Sequence, residues 1–352
     1  MIIDDTLREG LQSPGVAFTQ SEKMKLFELL SNAGIKRFIG GYPSAHRSEY
    51  DALSKMASAK RASIFGLGRT VNSDVDSIVE TGANIALHIP TSISSLEDVT
   101  RVVKYASRYG REVEVSLVDI SAYGADELVK IARMIADSGA TTLQLPDTTG
   151  KMSPKGYFNS IAAVRKAVSC EISVHCHNDI GVAVLNSYMG YTAGATWIDT
   201  TILGLGERNG IADMASMVST LHSSGVETKI DLEKLRVAYQ YLTEILHSKP
   251  GSNLYEKRLP VFGEYLQYVV AGTHADDLKF SQKGALVNVY CGRRLIRNIL
   301  SSMGVEINDS SLSKLVEKVK DTSVERGICL TPTEVLGLYS ELEKYEPVVR
   351  RS

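Results

Sequence analysis

The chain has 352 residues, which is enough for one large α/β domain with an appendage or for two ordinary domains. Its 39 Lys and Arg balance 41 Asp and Glu without long blocks of one sign, so general binding to nucleic acid or to an anionic membrane is not expected. No apolar run approaches the length of a membrane span, and the 4 cysteines lack redox or metal-ribbon spacing, so we expect a soluble cytoplasmic protein with reduced thiols.

Eight short β-rich runs alternate with amphipathic stretches over the first two thirds of the chain. The predicted strands are residues 1–6, 36–41, 62–68, 84–90, 112–119, 141–146, 171–177 and 196–203. The clearest predicted helices between them are residues 21–33, 94–109, 125–138 and 153–167. Capping sequences such as Thr19-x-x-Glu22 open several of these helices, and glycines such as Gly34 and Gly139 follow their ends.

Eight strand-helix units favour a parallel sheet closed into a (β/α)8 TIM barrel. An open doubly wound sheet would also alternate, but it usually has fewer strands and a glycine-rich turn after the first strand, which is missing here. Beyond residue 227, helical patterns recur without strands at residues 232–247, 293–303, 310–321 and 331–343. We therefore predict an α/β protein with a TIM barrel over residues 1–228 and a smaller, mainly α-helical region over residues 229–352.

In a TIM barrel the carboxyl ends of the strands form the active-site mouth, and polar residues cluster at those predicted ends. The candidates are Asp5, Arg8, Glu9, Arg69, His88, Ser116, Asp119, Asp147, Thr148, His175, His177, Asp179 and the run from Gly204 to Asn209. A functional site at this mouth is the simplest interpretation.

The sequence His175-Cys176-His177 ends the seventh predicted strand. Alternation along a strand puts both imidazoles on one face and turns Cys176 toward the helices. Two imidazoles with a carboxylate from Glu9 or Asp5 would suit a divalent ion, with zinc, magnesium and manganese all possible. A His-x-His pair can also be polar surface or a hydrogen-bonded core pair, but its place at the barrel mouth favours ligation. Arg8 could simply pair with Glu9, or it could stabilise oxyanion charge.

Five ordered motifs carry a resemblance to a known family. They are Asp-Thr-Leu-Arg-Glu-Gly-x-Gln-Ser-Pro-Gly from Asp5, His-x-His-Asn-Asp-x-Gly-x-Ala-x-x-Asn from His175, Gly-x-Gly-Glu-Arg-x-Gly from Gly204, Ala-Gly-Thr-His-Ala from Ala271, and Gly-Arg-Arg from Gly292. Together they resemble the isopropylmalate synthase and homocitrate synthase family from residue 1 to about residue 322. Glutamate after Arg8 and the run Gly-Glu-Arg-Asn-Gly-Ile from Gly206 are most similar to homocitrate synthases.

The resemblance implies a metal-dependent acyltransferase that condenses acetyl-CoA with a 2-oxo acid and releases CoA. It implies a domain-swapped homodimer in which the C-terminal region completes the active site. By position it assigns roles to these residues: Glu9, His175 and His177 as metal ligands, Arg8 and His274 as catalytic groups, Gln12 and Thr148 as contacts to the oxo acid, and Gly204, Gly206, Glu207 and Arg208 as the acyl-CoA site. We add His88 and Ser116 to the substrate contacts because they end neighbouring predicted strands.

Two departures from the family pattern affect the expected oxo-acid pocket. The family usually has an acidic residue at the end of the second strand, where this chain has Gly40, and commonly a glutamate in the fifth-strand segment, where it has Val118. Two alternatives to the synthase therefore stand: a carbon-carbon lyase of the hydroxymethylglutaryl-CoA lyase or aldolase type, and a non-catalytic relative. Glu207 and Arg208 stand where the lyases have a Gly-Gly-Cys-Pro-type loop, and the kept Arg8, Glu9 and histidines oppose a non-catalytic role.

Overall fold

Eight parallel strands close into a barrel in sequence order in the computed structural model, which describes residues 1–89, 95–249 and 286–345. The strands are β1 (Ile2–Asp4), β2 (Arg37–Gly41), β3 (Ser63–Arg69), β4 (Asn84–Ile89), β5 (Val113–Leu117), β6 (Thr142–Asp147), β7 (Glu171–Cys176) and β8 (Trp197–Thr200). All eight predicted strands are confirmed, and so is the TIM barrel. The eighth is shorter than predicted because Leu203 takes a positive φ of 57° inside the 3-10 turn Ile202–Gly204.

Twelve helices surround or follow the barrel within the described residues. They are α1 (Gln20–Asn32), α2 (Arg47–Ser58), α3 (Asn72–Glu80), α4 (Leu96–Ser107), α5 (Ala125–Asp137), α6 (Pro154–Ala167), α7 (Ala183–Thr192), α8 (Met214–Ser223), α9 (Leu232–His247), α10 (Arg293–Ser302), α11 (Asp309–Arg326) and α12 (Pro332–Tyr345). The capping box before α1 is present, because Thr19 accepts from the Glu22 N–H and Glu22 accepts from the Thr19 N–H. Among these helices, none is both long and apolar enough to cross a bilayer.

Alternation along the strands divides the barrel into an outer apolar layer and an inner, more polar one. Outward side chains such as Phe38, Leu87 and Val174 join the main hydrophobic core beneath the helices. Cys176 lies in this outer layer with no exposed surface, as predicted. A small inner cluster of Ile3, Ile39, Phe65 and Ala86 fills part of the interior, and charged residues fill much of the rest.

The C-terminal residues pack in two ways. Buried side chains of α9 belong to the barrel core, and this helix lies against α1. The helices α10, α11 and α12 share a second core that includes Leu295, Leu312 and Leu315. Asn288 joins the two parts, since its side-chain amide donates to the Leu11 carbonyl at 2.6 Å in the loop that follows β1.

A buried ion pair ties the end of β2 to two helices and to the C-terminal region. Lys23 of α1 donates to Glu49 of α2 at 2.6 Å, and both side chains are almost wholly buried. The same carboxylate accepts from the Tyr290 hydroxyl at 2.9 Å and from the Tyr42 N–H at 3.1 Å. Burial lowers the pKa of Lys23, and the Glu49 carboxylate opposes that shift.

Lys23→Met should lower the free energy of unfolding by about 3 to 5 kcal/mol, because it leaves the Glu49 carboxylate buried without its cation. Lys25→Met is the matched control on the same helix, since Lys25 pairs with Glu28 at 3.2 Å and both side chains are about half exposed. It should change stability by less than about 1 kcal/mol. Urea unfolding followed by Trp197 fluorescence measures both variants. Equal losses would contradict the role given to the buried pair.

Candidate active site

Three sequence motifs that lie far apart in the chain meet at the barrel mouth. The Ser13 hydroxyl bonds both the Gly206 N–H at 2.7 Å and the Gly206 carbonyl at 2.8 Å, which fastens the loop after β1 to the loop after β8. The Asn178 N–H donates to the Gly210 carbonyl at 2.8 Å, which joins the loop after β7 to the same segment. The loops after β1, β7 and β8 therefore form one continuous surface.

Glu9, His175 and His177 offer one ligand atom each, and these atoms all lie within 4.8 Å of one another. All three side chains are buried. Two imidazole nitrogens and one carboxylate oxygen form a donor set that suits zinc and other divalent ions of similar character. The residues thus fit a divalent ion, which supports the predicted ligands. Between the two carboxylates left open by the sequence, the geometry favours Glu9, because Asp5 groups with His175 and Asp199 but not with His177.

Arg8 lies between two carboxylates at this mouth. Its Nε donates to Asp5 at 3.0 Å, a second nitrogen also bonds Asp5, and Nη1 donates to Glu9 at 2.5 Å. Burial by itself would lower the pKa of Arg8, but the Asp5 and Glu9 carboxylates outweigh it and raise that pKa above its ordinary value. Arg8 is therefore a permanent cation beside the metal-ligand cluster. The Gln12 amide lies within hydrogen-bond distance of both Arg8 and Glu9.

The glycine-rich loop after β8 holds the Glu9 carboxylate in place. The Glu207 N–H donates to Glu9 Oε1 at 2.9 Å. Gly206 has a φ of +152°, and a Cβ there would approach the same Oε1 to 2.9 Å. A side chain at position 206 would therefore be strained and would crowd the carboxylate, so glycine suits this position for a local reason.

Arg208 contacts the loops after β6 and β7. Its guanidinium donates to Asp179 at 2.7 Å and 3.1 Å and also bonds the Thr148 carbonyl. The Thr148 hydroxyl accepts from the Asp119 N–H at 2.9 Å. Arg208, in the loop after β8, thus connects the loops after β6 and β7 at the rim of the barrel mouth.

The other sequence-predicted residues take the following places. His88 of β4 and Ser116 of β5 are paired in register on the inner face of the barrel. Gly204 has a positive φ of 58° at the end of the 3-10 turn after β8. His274 lies outside the described residues.

An acidic side chain at position 40 would not face the barrel interior. A Cβ on Gly40 would point out of the barrel, 2.9 Å from Leu53 and 3.1 Å from Ile64, so an acid there would enter the apolar layer. At the neighbouring Gly41, a Cβ would approach Glu49 Oε2 to 2.6 Å. The end of β2 therefore has a carboxylate nearby, supplied by the first turn of α2 instead of by the strand.

Asp199, which is not among the sequence-predicted site residues, lies directly behind the candidate metal-ligand cluster. One carboxylate oxygen of Asp199 is 3.1 Å from His175 Nδ1. Alternation along β8 could have identified Asp199 from the sequence. Asp199 faces inward, and the residues on either side of it, Ile198 and Thr200, face outward.

Comparisons with known proteins place the chain in a family. A profile of the family described as HMGL-like matches residues 1–242. The chain is 30% identical to a 2-isopropylmalate synthase of Methanocaldococcus jannaschii, over 97% of this chain and 71% of that protein. It is 27% identical to a homocitrate synthase of Saccharolobus islandicus, over 92% of this chain and 77% of that protein. Among solved structures, an HMG-CoA lyase of Bacillus subtilis shares the fold with a TM-score of 0.63 at 20% identity, over 72% of this chain and 96% of that one.

His177→Ala should lose zinc binding, because it removes one of the three candidate ligands from the cluster. His88→Ala is the matched control, since His88 lies on the inner barrel face outside the cluster. Competition titration with a chromophoric chelator measures the dissociation constant of both. Zinc affinity unchanged in His177→Ala, or equally reduced in both variants, would contradict the ligand assignment.

Proposed function

Because the chain belongs to the HMGL-like family, we propose that it is an acyltransferase that condenses acetyl-CoA with a metal-chelated 2-oxo acid and releases CoA. The observation that carries this proposal is the buried cluster of Glu9, His175 and His177 with Arg8 beside it. The names of the relatives support the same reaction class, since both 2-isopropylmalate synthases and homocitrate synthases are among them.

The proposed site divides the chemistry between a metal ion and charged side chains. When bound at Glu9, His175 and His177, a divalent ion would polarise the carbonyl of the 2-oxo acid. Arg8 presents a fixed cation to the oxygen on which negative charge develops, and its ion pairs with Asp5 and Glu9 keep it charged and oriented. Gln12, His88, Ser116 and Thr148 contact the 2-oxo acid in this proposal.

The second half of the site concerns acetyl-CoA. Its methyl group is a weak carbon acid, so a base must be placed within hydrogen-bond reach of it. We assign that base to His274, with the C-terminal region of a domain-swapped homodimer bringing it to the mouth. The loop with Gly204, Gly206, Glu207 and Arg208 would hold the CoA, and the backbone around Gly206 is already fixed by Ser13. Condensation and thioester hydrolysis then release CoA as a free thiol.

A substrate panel tests the proposed reaction class. Purified protein with zinc, magnesium or manganese and acetyl-CoA is offered 2-oxoglutarate, 2-oxoisovalerate, pyruvate, glyoxylate and oxaloacetate, and thiol release is followed with a disulfide reagent. We expect release with at least one acid and none after chelation. No release with any acid would contradict the proposal. Cleavage of a 3-hydroxyacyl-CoA to acetyl-CoA, followed by chromatography because that reaction frees no thiol, would establish the lyase instead.

His274→Ala should keep zinc affinity and lower turnover by about 10²-fold to 10⁴-fold, as expected for the loss of a general base. His247→Ala is its control, because His247 is an exposed residue in the last turn of α9. Metal content and steady-state rates are measured together for both variants. Wild-type turnover in His274→Ala would remove this residue from the mechanism without affecting the metal site.

A further inference from the structure

A buried chain of charged and polar side chains runs through the barrel interior below the metal-ligand cluster. TIM-barrel interiors are usually filled with branched apolar residues. Here the inner face holds Arg37 of β2, Glu114 of β5, Gln144 of β6 and Asp199 of β8, all buried. None of them belongs to the metal-ligand set.

The upper end of the chain meets a metal ligand. Asp199 Oδ2 lies 3.1 Å from His175 Nδ1 and accepts from the Gln144 amide at 2.6 Å. Its other oxygen accepts from the Ser173 hydroxyl at 3.0 Å. Since a carboxylate accepts hydrogen bonds, this arrangement puts the His175 proton on Nδ1 and leaves Nε2 free to bind an ion.

The middle of the chain links two carboxylates through one amide. The same Gln144 nitrogen that bonds Asp199 also lies 3.4 Å from Glu114 Oε1. Arg37 donates to the other Glu114 oxygen at 3.0 Å. One amide nitrogen of Gln144 therefore bridges the Glu114 and Asp199 carboxylates.

The lower end of the chain is anchored by Arg37. Its guanidinium lies over the rings of Phe65 at 4.1 Å and Trp197 at 4.6 Å. It also donates to Glu112 at 3.1 Å, whose side chain is 45% exposed at the amino end of the barrel. Arg37 is therefore enclosed in the barrel interior, and its exposed partner Glu112 lies at the amino end of the barrel.

A gain in folding stability alone is a poor explanation for this row of buried polar side chains. A buried ion pair such as Arg37 with Glu114 loses hydration on both partners, and apolar residues of similar volume are often as stable or more so. A connected set of hydrogen bonds does, however, fix orientation strongly in a low-dielectric interior. The groups at its upper end have one functional neighbour, His175.

We propose that Arg37, Glu114, Gln144 and Asp199 are positioning residues that orient His175 and raise its affinity for the metal ion. This inference rests on the proposed function in one respect, namely that His175 ligates the ion. It adds that residues deep in the barrel, as far as its amino end, partly set the affinity of the site for the metal ion.

The test compares two glutamates that bond the same arginine. Glu114→Gln removes a negative charge from the chain, whereas Glu112→Gln removes one from the solvated end of Arg37. Glu114→Gln should weaken zinc binding, and Asp199→Asn should weaken it further, within the range of about 10-fold to 100-fold typical for groups behind a metal ligand. Glu112→Gln should leave the dissociation constant unchanged. The visible spectrum of the cobalt(II)-loaded protein should change in Glu114→Gln and Asp199→Asn but not in Glu112→Gln.

A second measurement uses the wild-type protein, so it does not depend on the folding of any variant. In the zinc-loaded wild type, proton-nitrogen NMR of the histidine rings should show His175 protonated at Nδ1, with that proton protected from exchange. A deprotonated Nδ1, or a zinc affinity and cobalt spectrum in Glu114→Gln equal to those of the wild type, would overturn the positioning role while leaving the ligand set intact. Failure of the wild type to bind any of zinc, cobalt, magnesium and manganese would instead defeat the proposed function itself.

Discussion

The pairing of β1 with β8 is the constraint on which the rest of the structure depends. Ile3 lies beside Asp199 and Asp4 beside Thr200 in this register, so the first strand closes the barrel against the last. Because β7 is the next strand along, the loop after β1 brings Glu9 to the imidazoles of His175 and His177. Without this closure, Glu9 would not lie close to the two histidines. The site is a property of the barrel and not of any single motif.

Alternation along the strands explains both what the sequence predicted and what it did not. The eight strands, the barrel and the helices were predictable because their apolar residues follow simple periods. The ligand cluster was predictable because His175 and His177 share a strand face and polar residues gather at strand ends. The inner polar chain was missed since members such as Gln144 and Glu114 each stand between two apolar residues of their strand. Only the closed barrel shows that these single residues touch.

The end of β2 shows a further limit of reading a sequence strand by strand. The strand sequence suggests that an acidic group is missing at Gly40, but a side chain there would face the helices. The nearby carboxylate comes from Glu49 on the following helix, and glycine at position 41 leaves room for it. That carboxylate in turn holds Tyr290 from the C-terminal region. A carboxylate at the end of a strand can therefore come from another element, which the strand sequence by itself does not reveal.

The proposed catalyst and its support form one connected system of charges. Arg8 is held by Asp5 and Glu9, Glu9 is held by the loop after β8, and His175 is backed by Asp199. Every step is a hydrogen bond between buried groups, for which the low dielectric strengthens paired contacts and penalises unpaired ones. The chain therefore presents a prearranged set of donors at the mouth, as the proposed chemistry requires.

X-ray absorption at the zinc edge of the metal-loaded protein tests the central claim most directly. The account predicts two imidazole ligands with zinc-nitrogen distances of about 2.0 to 2.1 Å, oxygen in the remaining positions, and no sulfur. A spectrum with fewer than two imidazoles, or with a sulfur ligand from any of the cysteines, would contradict it.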